Sequence, residues 1–89
     1  MKAAHYPRQF ERDIKRIKKQ SKDIEKLRTV IRYLLEEKQL PPKNRDHRLS
    51  GNFATFRECH IEPDWLLIYQ SDENTIRFVR TGSHSDLFD

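Results

Sequence analysis

The spacing of the apolar residues changes once along the chain, at Pro41 and Pro42, and this change limits what the chain can fold into. Before the prolines, the first apolar stripe has the four-and-three spacing of an amphipathic helix, at Phe10, Ile14 and Ile17. The same spacing resumes after a polar break, at Ile24, Leu27, Ile31, Leu34 and Leu35. Two helices are predicted, the second with Ser21 as its N-cap and with the prolines at its end.

Beyond a loop that runs from Pro41 to about Asn52, apolar residues alternate with polar ones, which is the pattern of β-strands. Strands are predicted over residues 56–61, 64–70 and 75–82, and residues 2–6 are a candidate edge strand. Residues 65–69 are apolar on both faces, so that strand should be central, with Trp65 and Tyr69 in the packing. The short connections favour antiparallel hairpins. The predicted fold is α+β, with two N-terminal helices packed on a small antiparallel sheet.

The length of 89 residues fits one domain covering residues 1–89, with few apolar residues to spare outside the core. No apolar run reaches the roughly 18 residues that a membrane helix needs, and the N-terminus lacks the apolar stretch of a signal peptide. Cys59 is the one cysteine, so no internal disulfide can form. We therefore expect a cytoplasmic protein with no membrane partner.

Positive charge is concentrated in the first half of the chain. Residues 1–48 hold 15 of the 18 lysines and arginines but 7 of the 14 acidic residues, which gives +8, whereas the remainder carries −4. A basic surface of this kind attracts polyanions, and nucleic acid is the commonest polyanion in a cytosol. A solvated helix face without a ligand would show the same charge.

The segment "RECHIEPDW", residues 57–65, brings several reactive side chains together. Because neighbours on a strand point to opposite faces, Glu58 and His60 should share one face while Cys59 lies on the other. This separation disfavours a Cys–His nucleophile pair, and Cys59 is expected to be a small buried residue. The sequence has no CxxC or HxxxH spacing, so neither a metal site nor a cofactor is predicted.

Three segments in this order, "DHRLSG", "FRECHIEPDWLLIY" and "RTGSHSDLF", closely resemble the YafQ branch of the RelE superfamily of bacterial type II toxins. The resemblance covers nearly the whole chain. It implies a microbial-ribonuclease-like fold and a ribosome-dependent messenger-RNA endonuclease that needs no metal. It also implies a tight complex with a cognate antitoxin protein, and contact with DNA only through that antitoxin.

The resemblance further implies a set of functional residues. The positions that match the functional positions of the family are His47, His60, Asp64, His84 and Phe88. Arg80 matches the arginine that contacts phosphate in the family. Glu58 stands where some relatives have aspartate, so it is a catalytic candidate whose role is open. Cys59 stands where some relatives have alanine.

Cleavage of RNA without metal needs a base for the 2′-hydroxyl proton, an acid for the departing 5′-oxygen and positive charge near the phosphate. Histidine can fill either proton role near neutral pH. The hypothesis makes His84 the leading proton-transfer residue and the acid, with His47 and His60 as base or phosphate ligand. Asp64 would orient a histidine or act as an acid or base itself, and Arg80 would stabilise the charge. We expect these five residues to line one positively charged cleft.

Contacts to RNA are predicted for Phe88 and for five lysines of the helical region: Lys15, Lys18, Lys19, Lys22 and Lys26. Phe88 could stack on a base or only pin the C-terminal segment to the sheet.

Two other functions compete with the nuclease. One is that of a same-fold toxin of the ParE type, which inhibits DNA gyrase without cutting RNA, and the other is that of a non-catalytic RNA-binding module. Neither needs three histidines and an aspartate around a phosphate, so the histidines favour the nuclease.

Overall fold

The computed structural model describes residues 1–51 and 55–88. Its α-helices and strands follow in this chain order: β1 (Ala3–His5), α1 (Arg8–Lys19), α2 (Ile24–Leu35), β2 (His47–Arg48), β3 (Arg57–Glu62), β4 (Trp65–Ser71), β5 (Thr75–Gly82) and α3 (His84–Phe88), with one 3-10 turn at Pro42–Asn44 between α2 and β2. The two predicted helices and the three main strands are confirmed, with strand bounds shifted by at most one residue. The predicted end of the loop, Asn52, lies outside the described residues.

The five strands form one sheet in the order β1-β5-β4-β3-β2. Strands β2 to β5 pair antiparallel, as predicted, but β1 pairs parallel with β5. The sheet is therefore mixed, and the prediction of a purely antiparallel sheet is wrong at this edge. The chain leaves β1 through both helices before it returns to the sheet, and a connection of that length permits parallel pairing.

The cap of the second helix also differs from the prediction. The carboxylate of Asp23 accepts the backbone N–H of Glu25 at 3.0 Å and caps α2. Ser21, the predicted cap, lies two residues earlier with a φ of 59°. It belongs to the left-handed turn that follows α1, so its side chain does not start α2.

The core lies between the helices and one face of the sheet. Alternate residues of the central strand, among them Trp65 and Tyr69, join it together with Phe78 of β5. Cys59 is fully buried in the same cluster, as predicted, and burial raises the pKa of its thiol. None of the helices among the described residues is long and apolar enough to cross a membrane.

Strand β3 contains a bulge at the end that leads into β4. His60 pairs with Leu66 while Glu62 pairs with Trp65, so Ile61 is an extra residue on β3. Bulges bend a strand and redirect its side chains. This bulge lies beside the residues that were predicted to be catalytic.

Candidate active site

Two of the predicted residues form a hydrogen-bonded pair at one end of the sheet. His84 begins α3, and Asp64 lies in the turn between β3 and β4. The Nδ1 atom of His84 is 2.9 Å from Asp64 Oδ1, and the backbone N–H of His84 donates to the same oxygen at 3.1 Å. These hydrogen bonds hold the pKa of Asp64 below its usual value, so the carboxylate stays charged near neutral pH.

The pair determines which ring nitrogen of His84 can meet a substrate. A charged carboxylate only accepts hydrogen bonds, so Nδ1 of His84 must carry the proton and Nε2 is directed elsewhere. The side chains of His84 and Asp64 are 58% and 71% exposed, respectively. The pair is therefore open to solvent.

His60 lies next to this pair. The centroids of the His60 and His84 rings are 6.3 Å apart. The Nδ1 atom of His60 is 3.2 Å from the carbonyl oxygen of Pro63, which can only accept, so Nδ1 is the donor in this hydrogen bond. The Nε2 atom of His60 takes no part in the hydrogen bond to Pro63. Likewise, the Nε2 atom of His84 takes no part in the hydrogen bond to Asp64.

Glu58 connects His60 to His47. His47 of β2 and Glu58 of β3 are register partners. The Oε2 atom of Glu58 lies 3.2 Å from Nε2 of His47 and 4.0 Å from Nε2 of His60. Five of the predicted residues thus follow one another along the sheet, and we call them the histidine row: His47, Glu58, His60, His84 and Asp64.

A separate set of contacts fixes the segment that carries His47. The buried hydroxyl of Tyr69 donates to Oδ1 of Asp46 at 2.5 Å, and Arg57 Nε lies 3.3 Å from that oxygen and from the Tyr69 oxygen. The Nδ1 atom of His47 is 2.6 Å from the carbonyl oxygen of Arg45. Tyr69 was predicted only to pack in the core, but a buried tyrosine hydroxyl requires a hydrogen-bond partner, and here that partner is Asp46, the residue before His47.

Arg80 lies beside the row and is held by helix α1. Glu58 and Arg80 both pair with Ile68 of the central strand, so their backbones are two strands apart, or roughly 10 Å. Arg80 Nε donates to Asp13 Oδ2 at 2.8 Å, and Nη2 donates to Asp13 Oδ1 at 3.2 Å. The direction of the Arg80 side chain is therefore set by Asp13, which was not among the predicted site residues.

Asp13 is fully buried on α1. It stands three residues after Phe10, a position that belongs to the apolar stripe of the helix. An acid on the buried face of a helix needs partners of opposite charge, because burial of an unpaired carboxylate is very unfavourable. That pattern was visible in the sequence, although the partners were not.

The predicted RNA contacts fall into three environments. Lys15, Lys18 and Lys19 are exposed on α1. Lys22 is half-buried with its Nζ atom 5.6 Å from the centre of the Trp65 ring, and Lys26 Nζ is 2.8 Å from Glu62 Oε2.

Phe88 is 58% exposed, and its ring centroid is 6.3 Å from that of His84. The two residues are four apart on α3, which places them on one face of the helix. The exposed ring favours contact with a ligand over the alternative of pinning the segment to the sheet.

The sequence predicted one cleft for His47, His60, Asp64, Arg80 and His84. A groove of about 650 Å³ does lie between α2 and the end of β3, but of these five residues only His60 lines it. Three cations reach into it, at Lys26, Lys43 and Arg45. Within the row, the side chains of Glu58 and His60 are mostly buried, whereas those of His84 and Asp64 are open to solvent, so the groove does not unite the five residues.

Two helices on a small sheet, with histidines and carboxylates around the ends of its central strands, are the arrangement that the resemblance to RelE-like bacterial toxins implies. The sequence model of a family described as "Bacterial toxin of type II toxin-antitoxin system, YafQ" matches residues 2–89. The chain belongs to this YafQ family.

Individual relatives agree with the assignment. The mRNA interferase toxin YafQ of Escherichia coli K12 is 39% identical over 84 residues, which cover 93% of this chain and 91% of the relative. A chain of the Escherichia coli DinJ–YafQ toxin–antitoxin complex superimposes with a TM-score of 0.92 at 37% identity, covering 99% of this chain and 98% of that one.

A toxin from Helicobacter pylori, solved in a metal-bound form, superimposes with a TM-score of 0.92 at 43% identity and covers 99% of this chain and 100% of that one. Among residues 1–51 and 55–88 of the present chain, no three His, Cys, Asp or Glu side chains are grouped closely enough to hold a metal ion. The described side chains as arranged here do not fit such an ion.

Proposed function

We propose that this chain is a ribosome-dependent mRNA endoribonuclease that acts as the toxin of a type II toxin–antitoxin system and inhibits translation. The observation that carries the proposal is the His84–Asp64 pair beside His60, with 6.3 Å between the two histidine rings. This spacing is of the order needed for one phosphate group to contact both rings. Membership of the YafQ family, with a relative named as an mRNA interferase, supports the same activity.

The proposed reaction is attack of the 2′-hydroxyl on the adjacent phosphorus. A base removes the 2′-hydroxyl proton, the 2′-oxygen bonds to phosphorus, and the bond to the 5′-oxygen breaks as an acid protonates that oxygen. The products are a 2′,3′-cyclic phosphate and a 5′-hydroxyl. His84 is the proposed acid, and His60 or His47 is the base. The negative charge that builds on the phosphate would face Arg80.

The carboxylates have positioning roles in this proposal. Asp64 accepts the Nδ1–H of His84, so in the protonated ring the second proton, on Nε2, is the one given to the leaving group. Glu58 lies between His47 and His60. Its carboxylate orients whichever of the two rings donates a hydrogen bond to it. Neither carboxylate needs to leave its observed position during the reaction.

Mapping of the 5′ ends of cellular transcripts after brief induction tests this function directly. We expect new 5′-hydroxyl ends that fall in phase with reading frames, because a ribosome-bound enzyme meets the message one codon at a time. Their upstream fragments should carry a cyclic phosphate or a 3′-phosphate. Cuts without phase would contradict ribosome dependence, and a growth arrest without cuts would favour the gyrase inhibitor or the non-catalytic RNA-binding module.

The partner that keeps the toxin inactive is proposed to be a small protein antitoxin. The relative in the DinJ–YafQ structure is bound to its antitoxin. In this chain, the exposed lysines of α1 offer steering charge to an acidic partner. The place of action would be the cytoplasm, where ribosomes and messages meet, and DNA would be contacted only through the antitoxin.

Neutralising the exposed lysines of α1 should weaken the salt dependence of ribosome binding. The change is the joint replacement of Lys15, Lys18 and Lys19 by glutamine. Each phosphate contact that is lost should reduce the slope of log affinity against log salt by about 0.7–0.9. The control is Lys2→Gln, at the opposite end of the sheet, where Lys2 Nζ donates to Ser71. An unchanged slope in the triple variant would make these lysines a solvated surface.

Removing the ring of Phe88 should weaken binding of the message. Phe88→Ala is expected to cost about 1–3 kcal/mol, or roughly 5- to 150-fold in affinity, if the ring stacks on a base. The measurement is the Kd for ribosomes that carry a message with hydrogen in place of the 2′-hydroxyl at the cleaved position. Phe88→Tyr keeps the ring and should bind normally. Unchanged affinity in Phe88→Ala would rule out stacking of this ring on a base.

A further inference from the structure

Asp13 accepts hydrogen bonds from four groups, although its side chain is fully buried. Arg80 donates through Nε and Nη2, Arg16 donates through Nη1 at 2.8 Å, and the backbone N–H of Thr81 donates at 3.1 Å. Gln9 Nε2 adds a longer contact of 3.3 Å. Burial acts to raise the pKa of Asp13, but the hydrogen bonds from Arg80, Thr81 and Arg16 outweigh burial and hold the pKa below its usual value.

The two-point contact restrains Arg80 in a way that a single hydrogen bond would not. A guanidinium is planar and has five N–H donors in a fixed fork, so two bonds along one edge set both the position and the plane of the group. The donors on its other edges then point in fixed directions. The Arg80 side chain remains 30% exposed, so these donors can reach a ligand at the surface.

The same carboxylate also orients the start of α3. Arg16, which is bonded to Asp13, donates through Nη2 to the carbonyl oxygen of Thr81 at 2.6 Å, and its Nε lies 3.4 Å from Asp86 of α3. Gly82 leaves space for this arrangement, because a β-carbon there would clash with Nη2 of Arg16. The residues between Arg80 and His84 are thus fixed from α1.

We propose that Asp13 is a further positioning residue of this nuclease, holding the Arg80 guanidinium in the direction from which it meets the phosphate at the histidine row. The inference rests on the proposed function. It extends that function to a residue on α1 that lies outside the three segments that resemble the family motifs. A buried ion pair is by itself weak evidence for a stabilising role, which leaves orientation of Arg80 as the better explanation of this one.

The test is a double-mutant cycle on the rate of message cleavage by the full chain with ribosomes. Asp13→Asn removes the charge but keeps the size of the side chain. It should lower kcat by about 10- to 100-fold, because misplacement of a catalytic group by an ångström can cost about 10² in rate. KM should change less than about twofold. In an Arg80→Ala background the same substitution should lower kcat by a much smaller factor, since only the contacts through Arg16 to the start of α3 then remain to be lost. Glu11→Gln, on the exposed face of α1, controls for the change in net charge.

The outcomes separate this inference from the function on which it rests. If the unaltered chain cleaves no message, the proposed function fails and the inference fails with it. If the unaltered chain cleaves and Asp13→Asn lowers kcat by the same factor in both backgrounds, Asp13 acts independently of Arg80 and only the inference is overturned.

A second measurement decides the case if Asp13→Asn does not fold. In the unaltered protein, nitrogen NMR should show an ordered Arg80 side chain whose Nε–H is protected from exchange. Arg77, which is exposed on the same strand, is the internal reference. An Arg80 side chain as mobile as that of Arg77 would overturn the inference without any measurement of activity.

Discussion

Replacing His84 with alanine is expected to lower the rate of message cleavage by about 10²–10⁴-fold, the usual cost of losing a general acid or base. The substitution removes the ring that Asp64 orients and leaves the departing 5′-oxygen without its proton donor. Because His84 is 58% exposed at the start of a short helix, the fold should survive the change. The measurement is kcat with ribosomes and a defined message, accompanied by growth arrest on induction.

The matched control for this variant is His5→Ala. His5 is also exposed, but it lies on the edge strand β1 and pairs with Arg77, outside the histidine row. It should keep full activity. Equal growth arrest by His84→Ala and the unaltered chain would count against catalysis by His84. Asp64→Asn should reproduce part of the loss, because an amide can present a donor to Nδ1 and favour the other tautomer.

The helices and the main strands could be predicted because each buries one face in a regular pattern. The spacing from Ile24 to Leu35 and the doubly apolar stretch 65–69 reflect contacts with a single core. The parallel pairing of β1 could not be predicted in the same way, since three residues carry almost no periodicity. Likewise, Asp23 and Ser21 are both good capping residues, and the choice between them depends on where the turn after α1 ends.

The site also has features that the sequence could predict and features that it could not. The face shared by Glu58 and His60 follows from strand alternation, and the histidines themselves came from the family resemblance. What the sequence could not supply is pairing over long separations: Asp13 meets Arg80 across 67 positions, and Tyr69 meets Asp46 across 23. Such contacts depend on how α1 and the segment before β2 sit on the sheet. The sequence contains one sign of the contact between Asp13 and Arg80, which is that Asp13 is an acidic residue on the apolar stripe of α1.

Replacing His60 with alanine should remove the second proton-transfer group and lower kcat by about 10²–10⁴-fold. If His60 is the base, it must be unprotonated to act, so its loss should flatten the acidic limb of the pH–rate profile. The loss of His84, the acid, should flatten the alkaline limb. His60→Asn offers a control, because its amide can still donate to the carbonyl of Pro63 but cannot carry a proton through the reaction. Recovery of activity in His60→Asn would make His60 a positioning residue.

The loss of activity in His60→Ala would also be expected if His60 were a metal ligand. Adding a chelator to the unaltered chain distinguishes the two explanations. His47, Glu58 and His60 are residue types that bind transition metals, and a relative from Helicobacter pylori has been solved with a metal bound. We expect the unaltered chain to keep its rate, within about twofold, when a chelator is added under conditions that leave ribosomes intact, because proton transfer between histidines and a 2′-oxygen nucleophile requires no metal-activated water. If chelation instead reproduces the loss seen in His60→Ala and the cut ends carry 3′-hydroxyls, then water is the nucleophile, His60 is a metal ligand, and the proposed acid–base mechanism is wrong.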